Sequence, residues 1–225
     1  MNKNIKIYFF DMDHTLIDND CDVSWKQFVV AEKIAGQAAL KQADYFFDQY
    51  NAGTLDPNEF MRFQLHEFAG RTEAEMAALT RKHFNDFVRD RIYPGAYELV
   101  RQLKAAGCKL VLLSATNRII AQPVAEFFGF DDVVATELES ADGRYTGHIT
   151  GVYTCAEGKR TAAEIYCREH DVALSEVAYY GDSINDIYIL DAVGLPIVVN
   201  PGEELRRIAQ EKNWEILSFK LQQGV

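Results

Sequence analysis

Ile5-Lys6-Ile7-Tyr8-Phe9-Phe10-Asp11-Met12-Asp13-His14-Thr15 is the stretch that decides the fold. Its first six residues are mostly apolar, β-branched or aromatic, and they stop at acidic turn residues, the pattern of a buried strand. That strand presents Asp11 at its carboxyl end.

Downstream, the apolar periodicity changes character. From about Ser24 to Arg89 the apolar residues fall at helical spacing: Trp25, Phe28 and Val29, then Tyr45, Phe46 and Phe47, then Phe60, Phe63 and Leu65. A break over residues 51–57 punctuates this run, and Tyr93-Pro94-Gly95 closes it. The stretch reads as an all-helical insertion, with Trp25 and the phenylalanines as its core.

After Gly95, helices and strands alternate. A helix to Ala106 precedes a strand Lys109–Leu113, and a helix ending near Gly129 precedes a strand Val133–Ala135. Asp142-Gly143 favours a hairpin turn between short strands. A helix from Gly158 to about His170, a strand Val177–Tyr180, a short helix after Asn185, a last core strand Ile197–Val199 and a helix from Glu203 follow. Such alternation predicts an α/β fold with a doubly wound, mostly parallel Rossmann-like sheet, whose ligand crevice lies at the carboxyl ends of its strands.

The composition sets outer bounds. The chain has 225 residues, 48% hydrophobic and 25% charged, enough for a sizeable core and one insertion. Its net charge of −11, from 23 basic and 34 acidic side chains, gives no footprint for nucleic acid or an anionic membrane surface. An anionic substrate would therefore need local positive charge. Cys21, Cys108, Cys155 and Cys167 are scattered without a CxxC pair, as reduced thiols are. Ile5–Phe10 is too short for a signal-peptide core and no apolar run approaches a membrane span, so a cytoplasmic protein is expected. No sequence feature separates monomer from dimer.

Polar clusters recur where apolar strands end or helices begin: Asp11-Met12-Asp13-His14-Thr15, Ser114, Lys159 and Gly181-Asp182-Ser183-Ile184-Asn185-Asp186. Three or four carboxylates gathered in one crevice repel unless a cation holds them. Oxygen donors without a supporting His or Cys cluster suit Mg²⁺. Asp11 and Asp182 are assigned as ligands, with the backbone carbonyl of Asp13 as a third and Asp186 behind them. Taken singly, Ser114 reads equally well as a helix cap, Lys159 as a solvated lysine, and Asn185 as the cap of a short helix.

In this order the DxDxT, Ser, Lys and GDxxND elements resemble the haloacid dehalogenase superfamily, nearest to its phosphoserine phosphatase-like branch. The resemblance implies a core over residues 1–17 and 91–225 with a helical cap over 18–90. It also implies a Mg²⁺-dependent phosphatase that hydrolyses a small-molecule phosphomonoester. Asp11 would be the nucleophile that forms an aspartyl-phosphate, and Asp13 the general acid and base. Ser114, the amide of Ala115 and Lys159 would hold the phosphoryl oxygens, while Thr15, Asn185 and Asp186 would position the loop, Lys159 and the metal's waters. Asp20 and Arg62 stand near the family's readers of a substrate amine and carboxylate, so phosphoserine or a related amine-bearing phosphate is one candidate. Asp20 reads equally as a solvated turn and Arg62 as a surface residue. His14 replaces a usually smaller residue, where it either touches substrate or packs the loop. Competing readings are a phosphotransferase on the same scaffold and a receiver-type phospho-acceptor domain, which would need neither the insertion nor the GDxxND cluster.

Overall fold

The computed structural model describes residues 4–51, 54 and 56–221. The expected break over 51–57 falls partly outside them, as does the side chain of Phe47.

The opening strand, β1 (Ile7–Phe10), lies between two parallel partners, β2 (Lys109–Asn117) and β5 (Val177–Gly181). Registers of Phe10 with Leu112 and of Phe10 with Tyr180 bring the carboxyl ends of the three strands level. Beyond β2 come β3 (Asp132–Ala141) and the antiparallel β4 (Arg144–Thr150); beyond β5 come β6 (Leu195–Val199) and β7 (Glu215–Leu217). The order β4-β3-β2-β1-β5-β6-β7 makes β1 the point where the chain reverses its direction across the sheet. Crevices open at such switch points.

Strand alternation sorts the core into two layers. Tyr8, Phe10, Leu110 and Leu112 pack on one face against α5 (Pro94–Ala105), α6 (Arg118–Phe128) and helices of the insertion. Ile7, Phe9, Val111 and Val177 pack on the other against α7 (Glu157–Glu169), α8 (Ile187–Leu190) and α9 (Glu203–Glu211). Period-two burial on both faces explains why these strands read as continuous apolar runs.

Between β1 and α5 the chain forms α1 (Cys21–Ala31), α2 (Ala38–Asn51), α3 (Pro57–Gln64) and α4 (Glu73–His83), with no strand over five residues or more among the described residues. Asp20, Asp56 and Thr72 cap α1, α3 and α4 with side-chain oxygens, and Pro57 opens α3 at a position that needs no N–H. Trp25, Phe28 and Phe68 are fully buried around this packing. Lys26, also fully buried, pairs with Glu67 at 2.5 Å and donates to the Phe63 carbonyl at 2.6 Å, which ties α1 to the end of α3.

Several elements differ from expectation. β3 runs to Ala141 rather than Ala135 because its outer half pairs with β4 in the hairpin. β7 was not anticipated: three residues with an exposed Glu215 leave too little periodicity to read. Asn117, not Ser114, caps α6, because β2 continues past Ser114. Ser183 rather than Asn185 accepts at the start of the short turn Ile184–Asp186. No described helix is long and apolar enough to cross a membrane.

Candidate active site

Level strand ends put the polar clusters into one place. Asp11, Asp13, Ser114, Ala115, Lys159, Asp182, Asn185 and Asp186 all line a single cavity of about 460 Å³, with His14 and Asp20. The walls contributed by the insertion are Asp22, Val23, Ala43, Phe46, Pro57, Phe60 and Gln64. Arg62, on the last turn of α3, is exposed and is not among the lining residues.

Lys159 is the hub. Buried at the start of α7, its ammonium lies 3.0 Å from Asp11 Oδ1 and 2.6 Å from Asp186 Oδ1. Burial pulls its pKa down, but the two carboxylates outweigh that and hold it above the ordinary lysine range. Tyr179 donates to the same Asp186 oxygen at 2.7 Å, and the amide of Ser183 reaches the other at 3.2 Å. Asp186 is thereby a brace for Lys159, with both oxygens engaged.

Two glycines make this packing possible. A Cβ on Gly181 would stand 2.5 Å from Asp186 Oδ2, and one on Gly158 would collide with the carbonyl oxygen of Tyr153. Ala156, two residues before Gly158, is held at φ 50° in the left-handed region, a local strain of the kind that collects at functional sites.

Asp13 is positioned separately. The amide of Cys21 donates to Oδ1 at 2.9 Å, and the hydroxyl of Thr116 to Oδ2 at 2.8 Å. Burial, reinforced by Asp20, Asp11 and Asp22, raises its pKa well above the usual carboxylate range. Burial and then Asp20 likewise push Asp22 up to about 7. Asp20 itself spends one oxygen on the amide of Val23 at 3.0 Å, capping α1.

Behind the Ser114–Ala115 stretch of β2, Thr154 donates to the Ser114 carbonyl at 2.6 Å and Thr136 to the Ala115 carbonyl at 2.7 Å. These bonds hold the backbone of β2 where its strand register shifts between Ser114 and Asn117. Thr15, buried, reaches Asp182 Oδ1 at 3.4 Å. His14 is exposed at φ 55° on the same loop.

The donor set fits a hard divalent cation. Asp11, Asp182 and Asp186 offer oxygens within 4.8 Å of one another, with no His or Cys in the group. Burial, with the other carboxylates next, raises the pKa of Asp182 well above its ordinary value, the mark of anions crowded beyond what Lys159 offsets. Asp186 already accepts from Lys159, Tyr179 and the Ser183 amide, three donors that Asp11 and Asp182 do not share in full.

Sequence reading missed Thr116, Tyr179, Asp22 and Gln64. Thr116 lies two residues past the expected Ser114, close enough to have been included; Tyr179 is hidden inside an apolar strand and Gln64 inside an amphipathic helix.

A doubly wound sheet carries an aspartate pair, a buried lysine and a carboxylate cluster at its switch point, and the family match gives these the class of a hydrolase. The chain belongs to the haloacid dehalogenase-like hydrolase family, whose model matches residues 8–191. It is 34% identical over 223 residues to a histidinol-phosphatase of Neisseria meningitidis serogroup C (strain 8013), covering 97% of this chain and 100% of that one. A protein of unknown function from Bordetella pertussis Tohama I has the same fold at TM-score 0.87 and 34% identity, covering 95% and 98% of the two chains. A substrate-bound phosphoserine phosphatase shares the fold at TM-score 0.68 and 19% identity, over 98% of this chain and 95% of that one. The expected family, its phosphoserine phosphatase-like branch and the α/β fold are all borne out.

Proposed function

We propose that this chain is a phosphatase that hydrolyses a small amine-bearing phosphomonoester through an aspartyl-phosphate on Asp11, with residues 18–90 acting as a cap over a core of 1–17 and 91–225. The observation that carries the reading is the Asp11 carboxylate held 3.0 Å from the buried Lys159 in the cavity that Asp13 and Ser114 also line. The named activity of the Neisseria relative supports a substrate of this kind.

In the first half-reaction a carboxylate oxygen of Asp11 forms a bond to phosphorus while the bond from phosphorus to the ester oxygen breaks. Asp13, whose pKa burial and the neighbouring carboxylates raise, gives a proton to the departing oxygen. In the second, water attacks phosphorus, Asp13 takes its proton, and the Asp11 carboxylate leaves as phosphate forms. Lys159 and the Ser114–Ala115 strand end stabilise the phosphoryl oxygens throughout. Asp11, Asp182 and the Asp13 carbonyl would hold Mg²⁺, which when bound supplies positive charge against the phosphoryl group.

Thr116 keeps Asp13 aimed by donating to one of its oxygens, and Asp186 keeps Lys159 against Asp11. Phosphate release from a panel of phosphomonoesters, with Mg²⁺, with EDTA and with Asp11→Asn, tests the reading. Loss of turnover in the last two conditions is expected; activity that survives both rejects the mechanism.

A further inference from the structure

A pair of buried threonine hydroxyls stands behind the stretch of β2 that lines the cavity. Ser114, Ala115 and Thr116 line it, whereas Thr136 on β3 and Thr154 after β4 do not. The two threonines are 1% and 2% exposed, with their Oγ1 atoms 2.8 Å apart. Thr154 donates to the Ser114 carbonyl at 2.6 Å and Thr136 to the Ala115 carbonyl at 2.7 Å. A hydroxyl carries one hydrogen, so each threonine spends its donor on one carbonyl. Their burial leaves little access for water to replace a lost hydroxyl.

Both carbonyls turn to the same side of β2. Successive carbonyls of a regular strand point to opposite edges, and this pair departs from that rule where the register with β3 shifts between Ser114 and Asn117. No peptide bond among the described residues is cis, and in a planar trans peptide the carbonyl and the following N–H point in opposite directions. Pinning the Ser114 carbonyl to Thr154 therefore aims the Ala115 N–H away from Thr154. Pinning the Ala115 carbonyl to Thr136 aims the Thr116 N–H away in the same sense, and that amide donates to Ser114 Oγ at 3.2 Å. Ser114 Oγ thus accepts from the backbone and keeps its own hydrogen to give. Successive N–H groups turned to one side of a chain form a concavity that suits an anion.

The geometry points to Thr154 and Thr136 as positioning residues for phosphoryl binding: Thr154 aims the Ala115 amide, and Thr136 aims the Thr116 amide that orients the Ser114 hydroxyl. The inference rests on the phosphatase reading above, in which Ser114 and Ala115 hold the phosphoryl oxygens, and adds two residues that act on them from behind. Thr154 also lies on the segment that leads into α7, which carries Lys159, so its hydroxyl ties both sides of the phosphoryl site together.

The test is binding of inorganic phosphate with Mg²⁺ present, by titration calorimetry. Thr154→Val keeps the side-chain volume and removes the donor; it should weaken phosphate binding about tenfold, the strength of one hydrogen bond to a charged group. Thr136→Val, which acts one bond further away through Ser114, should weaken it about threefold. Thr154→Ser, which keeps the hydroxyl, should bind within about twofold of wild type. A role in packing alone predicts the reverse ranking, because valine fills the site and serine leaves a methyl-sized gap. Valine variants that bind phosphate as wild type does, serine variants no tighter than valine, or a wild type that does not bind phosphate overturn the inference. If Thr154→Val does not fold, Thr136→Val against Thr136→Ser decides the same ranking. If neither valine variant folds, the Ala115 amide of wild type decides: its proton resonance should move when phosphate binds, and an unmoved resonance overturns the inference. Wild-type phosphate release from the phosphomonoester panel keeps the phosphatase reading whichever way the variants rank, whereas no release from any member overturns that reading and this inference with it.

Discussion

Lys26→Met isolates the buried ion pair that ties α1 to α3. The side chains of Lys26 and Glu67 are 0% and 5% exposed, with their charged atoms 2.5 Å apart. Methionine matches the lysine stem in length, so the change removes the charge and the donor while the packing stays nearly filled. Glu67 is then left as a buried anion without its partner, which costs about 3–5 kcal/mol. For a chain of this size the loss corresponds to a fall in Tm of roughly 6–20 °C. Urea titration followed by circular dichroism reads it directly. Adding Glu67→Leu to Lys26→Met should restore most of the stability, since a buried pair replaced on both sides is often neutral. A single variant within about 1 kcal/mol of wild type, or a double variant no better than the single, refutes this account of the pair.

His83 is buried, its pKa lowered from 6.5 to about 4 by burial, with Nε2 2.9 Å from the Ser24 hydroxyl. The unfolded chain binds this proton first, so its contribution is complete above about pH 6.5 and is lost as pH falls toward 4, up to about 3 kcal/mol; stability of His83→Phe measured beside wild type at pH 7 and 4.5 should shift in favour of the variant by that order. Thr116→Val removes the donor to Asp13 and should lower kcat/KM about tenfold with little change in Tm. Gly181→Ala places a Cβ 2.5 Å from Asp186 Oδ2 and should cost about 1–3 kcal/mol in urea titration while lowering kcat, because Asp186 must move off Lys159.

The strand-end clusters were legible because each interrupts an apolar run where a doubly wound sheet has its crevice. Asp11 and Asp182 needed no more than that pattern, and Lys159 was found through its order among the motifs, since a lysine opening a helix is otherwise unremarkable on a surface. Tyr179 was not legible: its ring is core in the period-two pattern of β5, and its hydroxyl's partner, Asp186, enters from the turn that follows. Gln64 was hidden for a similar reason, because helical spacing marks which face is buried but not which polar group on that face lacks a partner. The pairing of Lys26 with Glu67 joins residues 41 positions apart and depends wholly on how α1 meets the chain after α3.

The central claim is that phosphorus passes through Asp11. Acid quench during steady turnover of a phosphomonoester, followed by borohydride reduction and peptide mass spectrometry, reads this directly, because an acyl phosphate is reduced to the alcohol while a free carboxylate is not. The account predicts conversion of Asp11 to homoserine that requires substrate and is absent in Asp11→Asn, which should also be inactive. Sustained turnover with Asp11 unmodified at every quench time, or with the modification at another residue, would contradict it.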